Sequence, residues 1–485
     1  MAAELIRAVI CHVQIGPDQV AVRESNGLQV TRGEIFRRAI GTAKMLDDSV
    51  PADATVMLHG PGGAAFWSGL LAVLGTGRRL LHISNDLPER DRFTLAKAHG
   101  VDAILETSPE HGAARGHDVR LHTGVAPEED GGESILARGK NSSLLLRSSG
   151  TSGSPSVALR PGPALDHVVG TLVNLLDLQA TDRVVAALPM QHAYGLEHAV
   201  LAPMVTGAMV AWRPGFDLNW ALAELNGGAT VFPGLPVTLE ACARAEPVAD
   251  HDLRLAYSAG SPLPPTVRTA FAETWGTPVG DLYGATELGT ITWGLNDVAR
   301  PVPGVSVLVS TDGKTSQQHG EGELLVKSNA MFDGYLREGG GDVDPGVRLD
   351  DHLRTGDLGR IEEDGSVEIT GRIKAQFDVG GLKVNPADVE KILQGQPGVS
   401  EIAVLPLLLS ETVTRVLAVV VAEKQGIDED AEARLREGLF TRSAKMLAPH
   451  QRPRVIHFRD SLPRTASGKL LRQVLLDEEN EHHPA

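Results

Sequence analysis

Along the first 290 or so residues, apolar runs of strand length alternate with stretches of helical period. Residues 19–22 and 28–31 read as the arms of a short hairpin, and Thr31 is placed to cap a helix over 34–46. Apolar runs at 55–58, 79–83 and 102–105 are interleaved with helical stretches near 64–74 and 88–99. The rhythm resumes with runs at 183–189, 208–212, 253–258 and 278–283 and a helical stretch about 196–205. Such alternation predicts parallel sheet covered by helices on both faces. Beyond residue 291 the texture changes to short β-like runs with turns (305–310, 322–326, 360–362, 367–370), predicting a small antiparallel or barrel-like subdomain. A further change at 371–374 opens a compact α+β segment. It comprises a helix near 386–394, strands at 401–406 and 416–423, a helix over 429–447, a strand at 454–458 and an exposed polar tail at 478–485. The expected class is therefore α/β, with a large N-terminal domain (1–372) of parallel sheets flanked by helices plus the small β subdomain, followed by an α+β C-terminal domain (373–485).

Composition narrows the function. The chain has 485 residues, long enough for at least two domains, and its 42% hydrophobic and 22% charged content is that of an ordinary globular protein. A net charge of −17 argues against a broad basic surface for phosphate backbones, so no nucleic-acid partner is expected. Cys11 and Cys242 lie far apart with no CxxC or Cys/His cluster, so neither a disulfide framework nor a zinc site is suggested. The N-terminal stretch has too short an apolar run for a secretory signal, and no run reaches membrane-spanning length. A cytoplasmic protein without membrane contact is expected.

Candidate chemistry begins where the apolar run at 144–147 breaks into Ser148, Ser149, Gly150, Thr151, Ser152, Gly153 and Ser154. Glycine permits unusual backbone angles and serine adds donors without bulk, so the loop can turn several N–H groups and hydroxyls onto one polyphosphate. It is not a Walker A loop, because no Gly-Lys-Ser/Thr follows at the required spacing. Polar or glycine residues also follow several strands: Gln191–His192, Gly234–Leu235, Ser258–Gly260 and Gly284–Glu287. Ligands of open parallel sheets bind beyond the strands' carboxyl ends, so these positions are candidates for one cleft.

Further signals accompany the loop: Asp281-Leu-Tyr-Gly-Ala-Thr-Glu287, Arg354-Thr-Gly-Asp357, Gly371-Arg-Ile-Lys374, Gly380-Gly381 leading into Asn385-Pro-Ala-Asp-Val-Glu390, and Pro463-Arg-Thr-Ala-Ser-Gly-Lys469. In this order and spacing the chain resembles the adenylate-forming (ANL) superfamily of acyl- and aryl-CoA synthetases, peptide-synthetase adenylation domains and luciferases, from about residue 17 to 474. The resemblance implies attack of a carboxylic acid on the α-phosphorus of Mg-ATP, then displacement of AMP by a thiol, normally that of coenzyme A. It implies that Ser148–Ser154 cradle the β- and γ-phosphates, Thr286 contacts the α-phosphate and Glu287 holds Mg²⁺. Tyr283 would stack on adenine between Leu282 and Gly284, facing Ser258, Ala259 and Gly260, with Asp281 near the exocyclic amine. Asp357 would accept both ribose hydroxyls, a task suited to a carboxylate, and Arg372 would reach the ribose and phosphate side. Lys469 would carry adenylation by drawing carboxylate and α-phosphate together. Lys374 falls at the hinge about which a mobile C-terminal domain would rotate, exchanging the Lys469 face for the Gly380–Gly381 face that admits pantetheine. His192 matches the position beside the acyl pocket, and a structural role for it is equally open. That pocket would draw on residues 192–196, 232–237 and 259–262. No acidic residue suited to pinning an α-ammonium group is evident near 188–196, although Glu197 lies close by, so a plain carboxylic acid is favoured.

The chain also departs from the pattern. Where the phosphate loop usually continues Pro-Lys-Gly it reads Pro155-Ser156-Val157, losing a positive charge and gaining a stiff β-branched residue. Ala375 and Asp378 replace residues common after the hinge. The expected function is an ATP-dependent acyl-CoA synthetase. Alternatives are an enzyme that uses a premade acyl-adenylate, one that loads a carrier protein, and a non-catalytic nucleotide binder. A homodimer is left open.

Overall fold

The computed structural model describes residues 3–60, 62–83, 89–107, 119–122, 142–147, 156–190, 192–246, 250–295, 298–337, 343–379, 382–410, 413–424, 426, 428–465 and 468–482. These fall into two compact units, Met1–Ser306 with Val326–Leu353, and Val307–Leu325 with Arg354–Ala485.

Two sheets organise the first unit. Among the described residues, one has nine strands. Its central strands Val279–Ala285, Leu255–Ser258, Val231–Gly234, Arg183–Ala186, Met209–Trp212 and Val20–Glu24 lie side by side in that order and run parallel. The other has eight strands and a parallel core of Ala103–Thr107, Thr55–His59, Arg79–His82 and Ser143–Arg147. The expected hairpin forms between Val20–Glu24 and Gln29–Thr31. Thr31 then caps helix Arg32–Ser49 in a reciprocal capping box with Glu34, a device contributing on the order of 1 kcal/mol. Helix Gly63–Gly75 is buried along every residue, which explains why its sequence is apolar all round.

The second unit contains the antiparallel pair His352–Ile361 and Val367–Arg372, with Asp357 opposite Arg372. It also holds a three-stranded sheet of Val399–Ser410, Val413–Ala422 and Pro453–Phe458, against which helices Pro386–Gln394 and Glu429–Met446 supply apolar side chains. The expected polar tail is largely a helix, Arg472–His482. Its Leu475 is buried with Leu462 and Val419, and Glu479 is 2% exposed, paired with His457 and Arg459. The charges that made the segment read as solvated are partly spent on these ion pairs.

Candidate active site

The nine-stranded sheet puts Gly234 level with Ser258, and Ser258 level with Asp281, at the carboxyl ends of adjacent parallel strands. Ser258 Oγ is fully buried and has no hydrogen-bond partner among the described residues, a costly arrangement for a hydroxyl unless a ligand completes it. Ala259 is 3% exposed, and Gly260 takes φ +88°, a conformation L side chains rarely adopt. Asp281 is held by Arg268, whose Nη2 lies 3.3 Å from Oδ2 while Nη1 donates to the Val279 carbonyl at 3.2 Å.

The strand of Asp281 continues through Ala285 and turns back into Gly289–Leu295, with a register shift between Tyr283 and Gly284. A Cβ at Gly284 would lie 2.7 Å from the Gly289 carbonyl oxygen, so only glycine fits this crossing. Thr286 and Glu287 therefore occupy a tight β-turn, not the helix start that Thr-Glu after a turn more often marks. The Glu287 backbone carbonyl accepts from Phe332 N at 2.8 Å, and its Oε1 accepts from the Tyr335 hydroxyl at 2.8 Å. Leu282, expected among the nucleotide contacts, points its side chain into the core and is 5% exposed. Alternation along the strand leaves Tyr283, on the opposite face, half-buried.

His192 is half-buried and sits at the N-cap position of the short helix Ala193–Leu196. Tyr194 in that turn donates its hydroxyl to the Gly234 carbonyl at 3.0 Å and packs edge-on against His198 and Tyr257. Burial, reinforced by the Asp281 carboxylate nearby, raises the Tyr194 hydroxyl well above its ordinary pKa. His198 is fully enclosed, with Nδ1 3.1 Å from the Tyr257 hydroxyl, and burial lowers its pKa to about 3. Two expectations for the acyl pocket need correction. Phe232 packs against Phe271 with ring centroids 6.3 Å apart, inside a separate core cluster. Leu196 is likewise wholly buried in the main core.

Glu197, the nearby acidic residue, opens a π-helical turn, Glu197–Leu201, and is paired with Arg160. Both are at most 2% exposed. Burial raises the Glu197 pKa, and the guanidinium pulls it back down. Its carboxylate therefore already has its counter-ion.

In the second unit, Thr355-Gly-Asp357 lies within strand His352–Ile361. Buried Glu323 accepts from Arg354 Nε at 2.7 Å and from Gly356 N at 3.1 Å, while Thr355 Oγ1 donates to the Leu324 carbonyl at 2.8 Å. Gly356 at φ +71° supplies the kink that these bonds pin. Asp357 is 4% exposed, and its Oδ1 lies 2.6 Å from Arg372 Nε, so the two expected ribose-side residues meet across the strand pair. Gly371 lies close beside them: a Cβ there would come within 2.6 Å of the Asn385 side-chain oxygen, so the cap on the following helix would have to shift. Lys469 is half-buried and tied to Thr465: Thr465 N donates to the Lys469 carbonyl at 2.8 Å and Lys469 N to Thr465 Oγ1 at 3.1 Å. Arg464 donates to the Gly468 carbonyl at 2.7 Å and pairs with Glu401.

Ser148, Ser149, Gly150, Thr151, Ser152, Gly153 and Ser154 lie outside the described residues, as do Gly380 and Gly381. Lys374 falls in the 3₁₀ turn Ile373–Ala375, and its side chain is outside what is described. Val157 is not part of the loop: it begins strand Val157–Pro161 and is wholly buried. Sequence reasoning missed Arg160, Tyr194, Arg268, Glu323 and Tyr335. Their signals are single residues whose partners lie 13 to 48 positions away.

A family model for AMP-binding enzymes matches residues 12–336, and one for the AMP-binding enzyme C-terminal domain matches residues 388–469. The chain belongs to the AMP-binding enzyme family. Within it, this AMP-binding enzyme is 28% identical over 416 residues to a probable CoA ligase, CCL8, of Humulus lupulus (78% of this chain, 68% of the relative). It is also 28% identical over 442 residues to a malonate–CoA ligase of Arabidopsis thaliana (82% and 71%). A crystal structure of ATP-bound MatB from Rhodopseudomonas palustris superposes with a TM-score of 0.83, covering 99% of both chains at 23% identity. The expected ANL fold, with mixed sheets, helices and a C-terminal α/β domain, is thereby shown. No helix among the described residues is long and apolar enough to cross a membrane.

Proposed function

We propose that this AMP-binding enzyme is an acyl-CoA synthetase, an ATP-dependent, AMP-forming acid–thiol ligase. A carboxylate oxygen attacks the α-phosphorus of ATP and the bond to pyrophosphate breaks. The thiolate of coenzyme A then attacks the acyl carbon of the mixed anhydride, and AMP leaves as the thioester forms. The observation that carries this reading is the row Gly234–Ser258–Asp281 at adjacent strand ends with Tyr283 and Glu287 beyond it, and the unpartnered Ser258 hydroxyl supports it. CoA ligases among the relatives support the thiol acceptor.

The residues suit the groups the reaction needs. Glu287 would offer the hard oxygen donor that Mg²⁺ prefers. Bound there, Mg²⁺ supplies charge neutralisation for the displaced pyrophosphate. Tyr283 provides the aromatic face for adenine, and the Asp357 carboxylate the acceptor for ribose hydroxyls. Thr286 contacts the α-phosphate, Arg372 the ribose side, His192 flanks the entering acid and Lys469 brings the two anions together. The hinge is at Lys374, with 1–372 and 373–485 as the parts it joins. Because Glu197 is neutralised by Arg160, it does not anchor an α-ammonium group, and a plain carboxylic acid in the cytoplasm is the substrate.

A panel of carboxylic acids, read by mass spectrometry with ATP plus CoA and in parallel with synthetic adenylates plus CoA, tests the assignment. Thioester in the ATP arm with at least one acid is expected; product only from synthetic adenylates would make the protein a user of premade adenylate. Replacing CoA by a phosphopantetheinylated carrier protein tests that acceptor, and sedimentation tests a homodimer. The missing loop lysine has its own consequence. Ser156→Lys is expected to raise acid-dependent pyrophosphate release about 10-fold by restoring a charge beside the triphosphate, with thioester formation from supplied adenylate unchanged.

A further inference from the structure

Glu287 is bound at both its ends by one short segment. Phe332 N donates to its backbone carbonyl at 2.8 Å, and three residues later the Tyr335 hydroxyl donates to Oε1 at 2.8 Å. The same segment forms strand Gly334–Leu336, which pairs antiparallel with Val157–Pro161, placing Tyr335 opposite Ala158. Asp333 N adds a bond to the Leu159 carbonyl at 2.9 Å. The Tyr335 ring is itself held edge-on against buried Phe332, centroids 4.8 Å apart. A turn carboxylate is thus held, through one aromatic hydroxyl, by the strand that pairs with Val157–Pro161.

We propose that Tyr335 is the positioning residue of the metal carboxylate: its hydroxyl occupies Oε1 and fixes the rotamer in which Glu287 presents its other oxygen to Mg²⁺. The inference rests on the reading of Glu287 as the Mg²⁺ carboxylate. A carboxylate has lone pairs enough to accept the hydroxyl and still ligate a cation. Partners that orient a metal's ligands typically change metal affinity 10- to 100-fold when removed. Without the hydroxyl, the carboxylate rotates freely at the end of its two-carbon stem, and the metal must restrain it on binding.

Tyr335→Phe keeps the ring and its contact with Phe332 while deleting the donor. The readout is Mn²⁺ binding, followed by electron paramagnetic resonance in the presence of a non-hydrolysable ATP analogue, beside calorimetric binding of metal-free AMP. Tyr335→Phe is expected to weaken Mn²⁺ binding about 10-fold and to leave AMP binding within twofold. Unchanged Mn²⁺ affinity, or equal loss of Mn²⁺ and AMP binding, would overturn the proposal, the latter by making the role one of general packing. Glu287→Gln separates the two readings. If it leaves Mn²⁺ binding intact, the assignment of Glu287 fails; if it abolishes binding while Tyr335→Phe does nothing, only the role of Tyr335 fails.

Discussion

Lys469→Ala is expected to lower acid-dependent pyrophosphate release about 100- to 1,000-fold, the loss typical when one preorganised donor to a developing charge is deleted. Thioester formation from a supplied acyl-adenylate should be preserved. The asymmetry follows from charge. The first step brings a carboxylate against a triphosphate, two anions that repel until a cation lies between them, whereas the second presents a thiol to a mixed anhydride whose acyl carbon is already activated. The Lys469 backbone is anchored, since Thr465 bonds both its N–H and its carbonyl, and Arg464 holds the Gly468 carbonyl while pairing with Glu401. Two half-reaction assays decide it: ATP–pyrophosphate exchange with a competent acid, and CoA consumption from synthetic adenylate. Equal loss in both would remove Lys469 from the adenylation step.

The second large effect concerns stability. Arg160→Leu or Glu197→Leu made singly is expected to cost about 3–5 kcal/mol, because each leaves an uncompensated charge in the core. The double variant should recover most of that loss, as paired apolar residues of similar volume can replace a buried ion pair at little cost. Urea titration followed by tryptophan fluorescence measures this in the right place, since all five tryptophans, Trp67, Trp212, Trp220, Trp275 and Trp293, lie in the first unit. Additive losses in the double variant would mean that the two side chains act independently. Acid selection is a separate readout: if the single Arg160→Leu variant retains its fold and gains activity toward α-amino acids, Glu197 has been released to bind an ammonium group.

Much of the architecture was legible because it rests on local rules. Hydrophobic period located the parallel strands and most helices, and Thr31 as a cap marked a helix start to within a residue or two. Helix Pro386–Gln394 is bounded by Asn385, a proline at its first position and a glycine after it. Misreadings arose where a segment's environment outweighed its composition. The charged tail became a docked helix once His457 and Arg459 supplied partners for Glu479. The strand expected only at 360–362 extends back through Thr-Gly-Asp, where Glu323, more than 30 positions upstream, holds the backbone. Phe232 left the acyl pocket because Phe271 and its neighbours offered a core.

The sequence by itself determined the family, the order of the motifs and the residue types that suit adenylate chemistry, because those depend on spacing along the chain and on side-chain functional groups. Only the tertiary structure decided which charges remain available for that chemistry. It neutralised Glu197 with Arg160, paired Asp357 with Arg372, left the Ser258 hydroxyl buried without a partner and set Tyr335 on Glu287. Each of these depends on groups far apart in sequence meeting within a few ångströms, where burial strengthens their interaction and penalises any group left unpaired.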